Sequence, residues 1–234
     1  MSARFVEIPV ADGAFRALLA GDPADAARPA VLLLPEIYNI NGWIRDVAGR
    51  HAARGHCVLV PDLFWRQTPG IDLEYTPEDQ QRGRVLSAGL DRAGSVDDLR
   101  AAAEWLRGQG ARHVAAVGFC LGGELACLAA AAGALDAAVA YYPTRMENHL
   151  AAVAHIAVPL LIHIGAHDHR TPPALVADLR AALAGRPLAR IDVYPDADHG
   201  FGRYGHPPHH PASAALAEQQ TLRVLDALSE RSEA

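Results

Sequence analysis

Six short apolar runs punctuate this chain, at residues 30–34, 57–60, 114–117, 137–142, 159–164 and 191–194. Several are continuous rather than alternating, the pattern of strands buried on both faces of a parallel sheet. The segments between them have helical character. Residues 42–54 are amphipathic. Ser95 is placed to cap a helix whose first turn carries Asp97 and Asp98, where the helix dipole favours acid. Gly108 and Gly110 stop that helix after Arg107. Thr171-Pro172-Pro173 opens another that reaches Ala184, with Gly185 beyond it, and a last one covers residues 211–229. Strands alternating with helices set the class as α/β, a mainly parallel central sheet flanked by helices on both faces. Asp12-Gly13, between two apolar runs within residues 4–19, is a hairpin signal that adds antiparallel edge strands. Residues 67–92 are polar and read as an irregular excursion over one end of the sheet. With no repeat and no Ser/Gly linker, residues 1–234 are expected to form one domain.

Charge excludes several functions. The chain has 27 acidic and 21 basic residues, a formal charge of −6, and lacks the basic face that nucleic-acid binding needs. All of its basic residues are Arg, so a P-loop lysine and Schiff-base chemistry are both excluded. Three cysteines, Cys57, Cys120 and Cys127, are too few for a disulfide framework and point to a reducing, cytoplasmic setting. The first ten residues have no signal-peptide core. Residues 125–142 are mostly Ala, broken by Gly133 and Asp136, and read as helix, turn and strand rather than a membrane span.

The sharpest chemical signal is Gly118-Phe119-Cys120-Leu121-Gly122-Gly123, between the apolar run 114–117 and an Ala-rich helix beginning at Glu124. A G-x-C-x-G-G sequence between strand and helix has the form of a nucleophile elbow with Cys in place of Ser. Small residues two before and two after the nucleophile let strand and helix approach. The helix N-terminus then faces the sulfur and favours thiolate. The N–H of Leu121 would be one oxyanion donor. Cys57 and Cys127 read as packing thiols.

A cysteine nucleophile needs a base, and the base an orienting acid. Asp168 follows the run 159–164 and His199 follows 191–194. Both fall at strand C-termini, where open α/β sheets bind ligands. The chain order Cys120, Asp168, His199 is that of a nucleophile–acid–base triad. His163, His167 and His169 make an HxxxHxH pattern that could suggest zinc, but the triad accounts for more residues and no metal is expected. Asp196 and Asp198 are nearer His199 in sequence, though triad partners are neighbours in space. His206, His209 and His210 read as solvated loop residues.

These residues resemble the dienelactone hydrolase (carboxymethylenebutenolidase) family of α/β-hydrolases. The resemblance runs from Ala30 to Arg203. It rests on Leu34-Pro35-Glu36-Ile37-Tyr38-Asn39-Ile40-Asn41, Pro61-Asp62-Leu63-Phe64 with Arg66-Gln67 and Pro69-Gly70, the Cys120 elbow, Ala140-Tyr141-Tyr142, Gly165 with Asp168, and His199-Gly200-Phe201. It implies an α/β-hydrolase fold, with Cys120 as nucleophile, His199 as base and later acid, and Asp168 as orienter. Glu36 would be a carboxylate that takes the thiol proton when substrate binds. The N–H of Ile37 would join that of Leu121 in the oxyanion hole. Arg203 and Arg82, with Arg84 as a rival to the latter, would bind a substrate carboxylate, and Tyr141 would line the substrate site. Asp62 and the glycines look structural. Where the family supplies pocket aromatics after the first arginine, this chain reads Val85-Leu86-Ser87-Ala88-Gly89, leaving Trp65 and Tyr75 to compensate.

The function expected is hydrolysis of a small, anionic, dienelactone-like lactone through a thioester acyl-enzyme. The alternatives are a broader carboxylesterase or thioesterase on uncharged esters, and a non-turnover binding protein on a hydrolase scaffold. No cofactor is implied. The expected partner is the small-molecule substrate alone, with no nucleic acid and no membrane, and the chain is expected to be a monomer or weak homodimer.

Overall fold

The computed structural model describes residues 3–23 and 28–230. Its strands are β1 (Arg4–Val10), β2 (Gly13–Ala20), β3 (Ala30–Leu34), β4 (Val58–Pro61), β5 (Val114–Phe119), β6 (Ala137–Tyr141), β7 (Leu160–Gly165) and β8 (Ala189–Tyr194). They form one sheet in the order β1-β2-β4-β3-β5-β6-β7-β8. The β1–β2 hairpin turns at Ala11-Asp12, and β2 runs antiparallel to β4. The remaining neighbours are parallel. Every residue of β3, β5, β6 and β7 is buried, as their continuous apolar sequences require.

The helices are α1 (Gly42–Ala53), α2 (Pro77–Ala88), α3 (Arg92–Gly108), α4 (Leu121–Ala131), the single turn α5 (Leu150–Val153), α6 (Pro173–Ala182) and α7 (Pro211–Glu230). One face of the sheet is covered by α3, α4 and α6, whose Leu99, Leu125 and Leu179 join the core there. The other is covered by α1 and α7, through Trp43, Ile44, Ala217 and Leu225. Alternation along β5 divides the two cores: Val114 and Ala116 face the first, Ala115, Val117 and Phe119 the second. The chain leaves β3 for β4 on one side and returns to β5 on the other. The C-terminal ends of β3 and β5 therefore border the point where strand order reverses, the crevice in which such sheets hold ligands.

Two sequence expectations are corrected. The polar excursion contains α2, capped by Thr76, whose side chain accepts from the Asp79 N–H, with Pro77 and two acids in its first turn. Its only buried residue is Gly83, so no apolar stripe announced it. The next helix begins at Arg92 rather than Ser95, because the Asp91 side chain caps it by accepting from Ala93 N–H at 3.0 Å. Ser95 sits inside the helix and donates back to the Asp91 carbonyl at 2.7 Å.

α7 docks on the sheet partly through a buried polar network. His163 Nδ1 meets Tyr194 OH at 2.8 Å, its Nε2 meets Thr221 Oγ1 at 3.2 Å, and Tyr141 OH meets the same oxygen at 2.7 Å. Burial, aided by the Arg190 charge, lowers the His163 pKa from 6.5 to about 3. The unfolded chain thus binds a proton through this window that the fold refuses, so stability falls as pH drops from 6.5 toward 3. A titration-silent His163→Gln variant is expected to flatten the dependence of unfolding free energy on pH by about 1.4 kcal/mol per pH unit near pH 5. Urea denaturation across that range measures it.

Candidate active site

Glycines build the turn that presents Cys120. The residue has φ 55° and ψ −112°, a strained left-handed backbone, between the end of β5 and the start of α4. A Cβ on Gly118 would lie 2.1 Å from the Gly122 carbonyl oxygen, and one on Gly122 would lie 2.1 Å from that of Leu34. Only hydrogen fits where strand, helix and the β3 end converge. The Cys120 carbonyl accepts from the N–H groups of Glu124 (3.1 Å) and Thr144 (3.3 Å), and its own N–H donates to Tyr141 O at 3.0 Å.

Behind the turn lies a feature the sequence reading passed over. Glu124 is fully buried, and its carboxylate accepts from Arg92 Nε (3.1 Å) and Thr144 Oγ1 (3.2 Å) and meets His149 Nε2 at 3.1 Å. Both residues whose N–H groups hold the Cys120 carbonyl belong to this cluster.

His199 and Asp168 come together because two loops touch. A Cβ on Gly165 would sit 2.4 Å from Ala197 O, so a glycine there lets the loop after β7 approach the loop after β8. His199 Nδ1 lies 2.9 Å from Asp168 Oδ2. A carboxylate only accepts, so Nδ1 carries the proton and Nε2 is left for the sulfur. Burial opposes charge on His199, but the Cys120 sulfur when ionised and the hydrogen bond to Asp168 outweigh it and raise its pKa to about 10. While the sulfur is negative, the imidazole therefore holds its proton through neutral pH. Asp198 accepts the backbone N–H of His199, not its ring.

Glu36, just beyond β3, is 2% exposed. Arg203 grips it through Nε (3.0 Å) and Nη2 (2.9 Å), and the Tyr75 hydroxyl donates to it at 3.1 Å. The Arg203 guanidinium also lies 4.6 Å over the Tyr75 ring. Burial and then the Glu36 charge push the Tyr75 phenol far above its usual range, fixing it as a donor. Among the described residues, no acceptor takes the N–H of Ile37 or Leu121. Asp62 staples the neighbouring loop, accepting from Asn39 Nδ2 (2.7 Å), Phe64 N (3.1 Å) and Gly70 N (2.6 Å).

Other expected residues lie elsewhere. Arg82 is exposed and pairs with Asp79 on its own helix at 3.5 Å, and Arg84 is exposed too. Tyr141 turns into the α7-side core, stacked on Phe119 at 4.6 Å. Its neighbour Tyr142, at φ 38°, faces the site instead, with its ring 5.0 Å from that of His199 and its buried hydroxyl without a protein partner. Trp65 donates to Asp98, away from the cluster, whereas Tyr75 is part of it. The HxxxHxH residues do not converge. His163 is bound in the core and His167 is exposed. His169 has ligand atoms within 4.8 Å of those of Asp168 and Asp198, but Asp168 is engaged by His199. His206, His209 and His210 are half-buried rather than solvated: His206 packs on Tyr75 and His210 bonds Ser213 at the start of α7.

A strand-order reversal, a strained glycine turn that presents Cys120 after β5, and an acid and a histidine on the loops after β7 and β8 fit the α/β-hydrolase fold. Residues 15–229 match the dienelactone hydrolase family. A carboxymethylenebutenolidase of Pseudomonas putida is 33% identical over 97% of both chains. Carboxymethylenebutenolidase 1 of Cupriavidus pinatubonensis is 31% identical over 94% of each. A solved structure from Klebsiella pneumoniae, provisionally described as a dienelactone hydrolase, superposes with a TM-score of 0.84 at 28% identity, covering 96% of this chain and 98% of that one. The chain belongs to the dienelactone hydrolase family and is a hydrolase acting on esters. No helix among the described residues is long and apolar enough to cross a membrane.

Proposed function

We propose that this enzyme opens a small lactone bearing a carboxylate, of the carboxymethylene-butenolide type, through a Cys120 thioester. The observation that carries the reading is the Asp168–His199 hydrogen bond and the Glu36–Arg203 pair, gathered with Cys120 around the buried Tyr142 ring. A substrate carboxylate arriving at Arg203 competes with Glu36 for the guanidinium fork. Glu36, released from two of its hydrogen bonds, turns to take the Cys120 proton. The thiolate attacks the carbonyl, and the oxyanion settles on the N–H groups of Leu121 and Ile37. Glu36 passes the thiol proton on to His199 Nε2, becoming a carboxylate again, and His199 gives it to the departing ring oxygen. His199 then takes a proton from water, which attacks the thioester and frees the acid, and that proton returns to the departing Cys120 sulfur.

A second reading, an uncharged ester or thioester, has its own support. Arg203 is already paired with Glu36, and Arg82 is exposed beside Asp79. Matched lactones with and without a carboxylate separate the two. Arg203→Gln is expected to lower kcat/KM for the charged lactone by about 100-fold and for the neutral one far less, through the buried Glu36 carboxylate it leaves underpaired. An equal, small effect on both favours the neutral-ester reading.

A further inference from the structure

We propose that the enzyme has a second small-molecule site, on the far side of Phe119 from the nucleophile, that takes a small planar aromatic carboxylate. A cavity of about 240 Å³ lies between α1, α7 and the ends of β5 and β6. None of Cys120, His199, Asp168, Glu36 or Arg203 lines it.

Four aromatic rings wall the cavity: Trp43, Phe119, Tyr141 and Tyr204. Trp43 meets Phe119 edge-on at 5.0 Å and stands 6.0 Å from Tyr204, while Tyr141 stacks on Phe119. Such walls favour a flat, unsaturated guest. The volume suits a single ring with a short substituent and is below that of drug-sized pockets.

The polar groups of the wall set the guest's charge. The Arg50 guanidinium lies 3.6 Å over the Tyr204 ring and makes no salt bridge among the described residues. The acid in the same wall, Glu218, is held by Arg54 at 2.8 Å. Three wall residues each carry a buried polar atom with no protein partner: Trp43 Nε1, Tyr204 OH and His51 Nδ1. These are three of the eight such atoms described, so the deficit concentrates here. A buried donor without an acceptor is costly, and native proteins rarely leave one. Two of the three, the indole N–H and the phenol, are donors set just behind the cavity wall, and a turn of either ring would bring them to carboxylate oxygens beside Arg50. His51 is kept neutral, its pKa lowered to about 3 by burial and then by the His56 and Arg54 charges, so it adds no second cation.

The site stands apart from the proposed mechanism, and its test needs no turnover. Benzoate is the probe and benzamide its uncharged counterpart, titrated by calorimetry into the full chain with Cys120 alkylated by iodoacetamide. Benzoate is expected to bind with Kd on the order of 1 mM. Arg50→Gln is expected to weaken benzoate at least about tenfold without changing benzamide binding. Ala214→Trp, which fills the cavity from α7, is expected to abolish binding of both while ester hydrolysis persists. Ala214→Leu serves if the larger side chain prevents folding. No benzoate binding to the alkylated protein, or binding untouched by filling at Ala214 or by Arg50→Gln, would overturn the proposal. Loss of benzoate on alkylation alone would assign it to the catalytic crevice.

Discussion

With alanine at position 120, lactone hydrolysis is expected to fall by at least about 10³-fold, with the protein still folded. In the proposed mechanism the Cys120 thiol makes the covalent step. What remains in its absence is the oxyanion site and binding, which accelerate over water but form no acyl-enzyme. The fold should tolerate the change, because the turn is built by Gly118 and Gly122 and by hydrogen bonds to the Cys120 backbone, not by its sulfur. A second signature is independent of turnover. Cys120, when its sulfur is ionised, is the foremost influence raising the His199 pKa to about 10, so Cys120→Ala should move the imidazole titration downward. NMR of His199 reads that shift, and mass spectrometry reads the missing thioester. Full activity in the alanine variant would end the nucleophile assignment.

Gly122→Ala should be as damaging for a different reason. The added methyl would sit 2.1 Å from Leu34 O, 2.5 Å from Leu34 C and 2.7 Å from Pro35 O. All three are backbone atoms at the end of a fully buried strand and cannot swing aside as a side chain would. Either α4 lifts from β3, carrying Leu121 away from Ile37, or the chain misfolds. A loss of more than about 3 kcal/mol in denaturant unfolding is expected, with activity lost in parallel. Gly49→Ala is the control. That glycine is exposed inside α1 with nothing within 4 Å of an added Cβ, and the change should stabilise by about 0.5–1 kcal/mol.

The parallel strands were legible because burial on both faces leaves an unbroken apolar run; those at 30–34 and 114–117 fall within β3 and β5. The elbow was legible because its steric demand is local, written in glycines a few residues apart. α2 was not, since a helix that buries only a glycine has no apolar period to read. Ser95 failed as a cap because Asp91, four residues earlier and an equally good acceptor, meets the free N–H of Ala93, and only the fold decides that. Tyr141 and Tyr142 are adjacent, and a left-handed φ at the second decides which ring faces the crevice. Arg203 was found as a cation for an acid, but its partner Glu36 lies 167 positions away, a distance no local pattern bridges. The Glu124 cluster likewise joins α3, α4 and the loop after β6 and is invisible in any one segment.

Gly83 gives α2 an uncommon standing. A Cβ there would lie 2.5 Å from the carbonyl oxygen of Ile37, so the helix rests on the loop of that amide through a bare backbone. Arg82, Arg84 and Val85 look outward from the same turn, all exposed. They can be exchanged without displacing the peptide that would meet the oxyanion. Selection for a new substrate could therefore rewrite the rim of this enzyme one residue at a time while the reacting centre stays as it is. The helix acts as an evolvable brim, pivoted on a position that tolerates hydrogen alone.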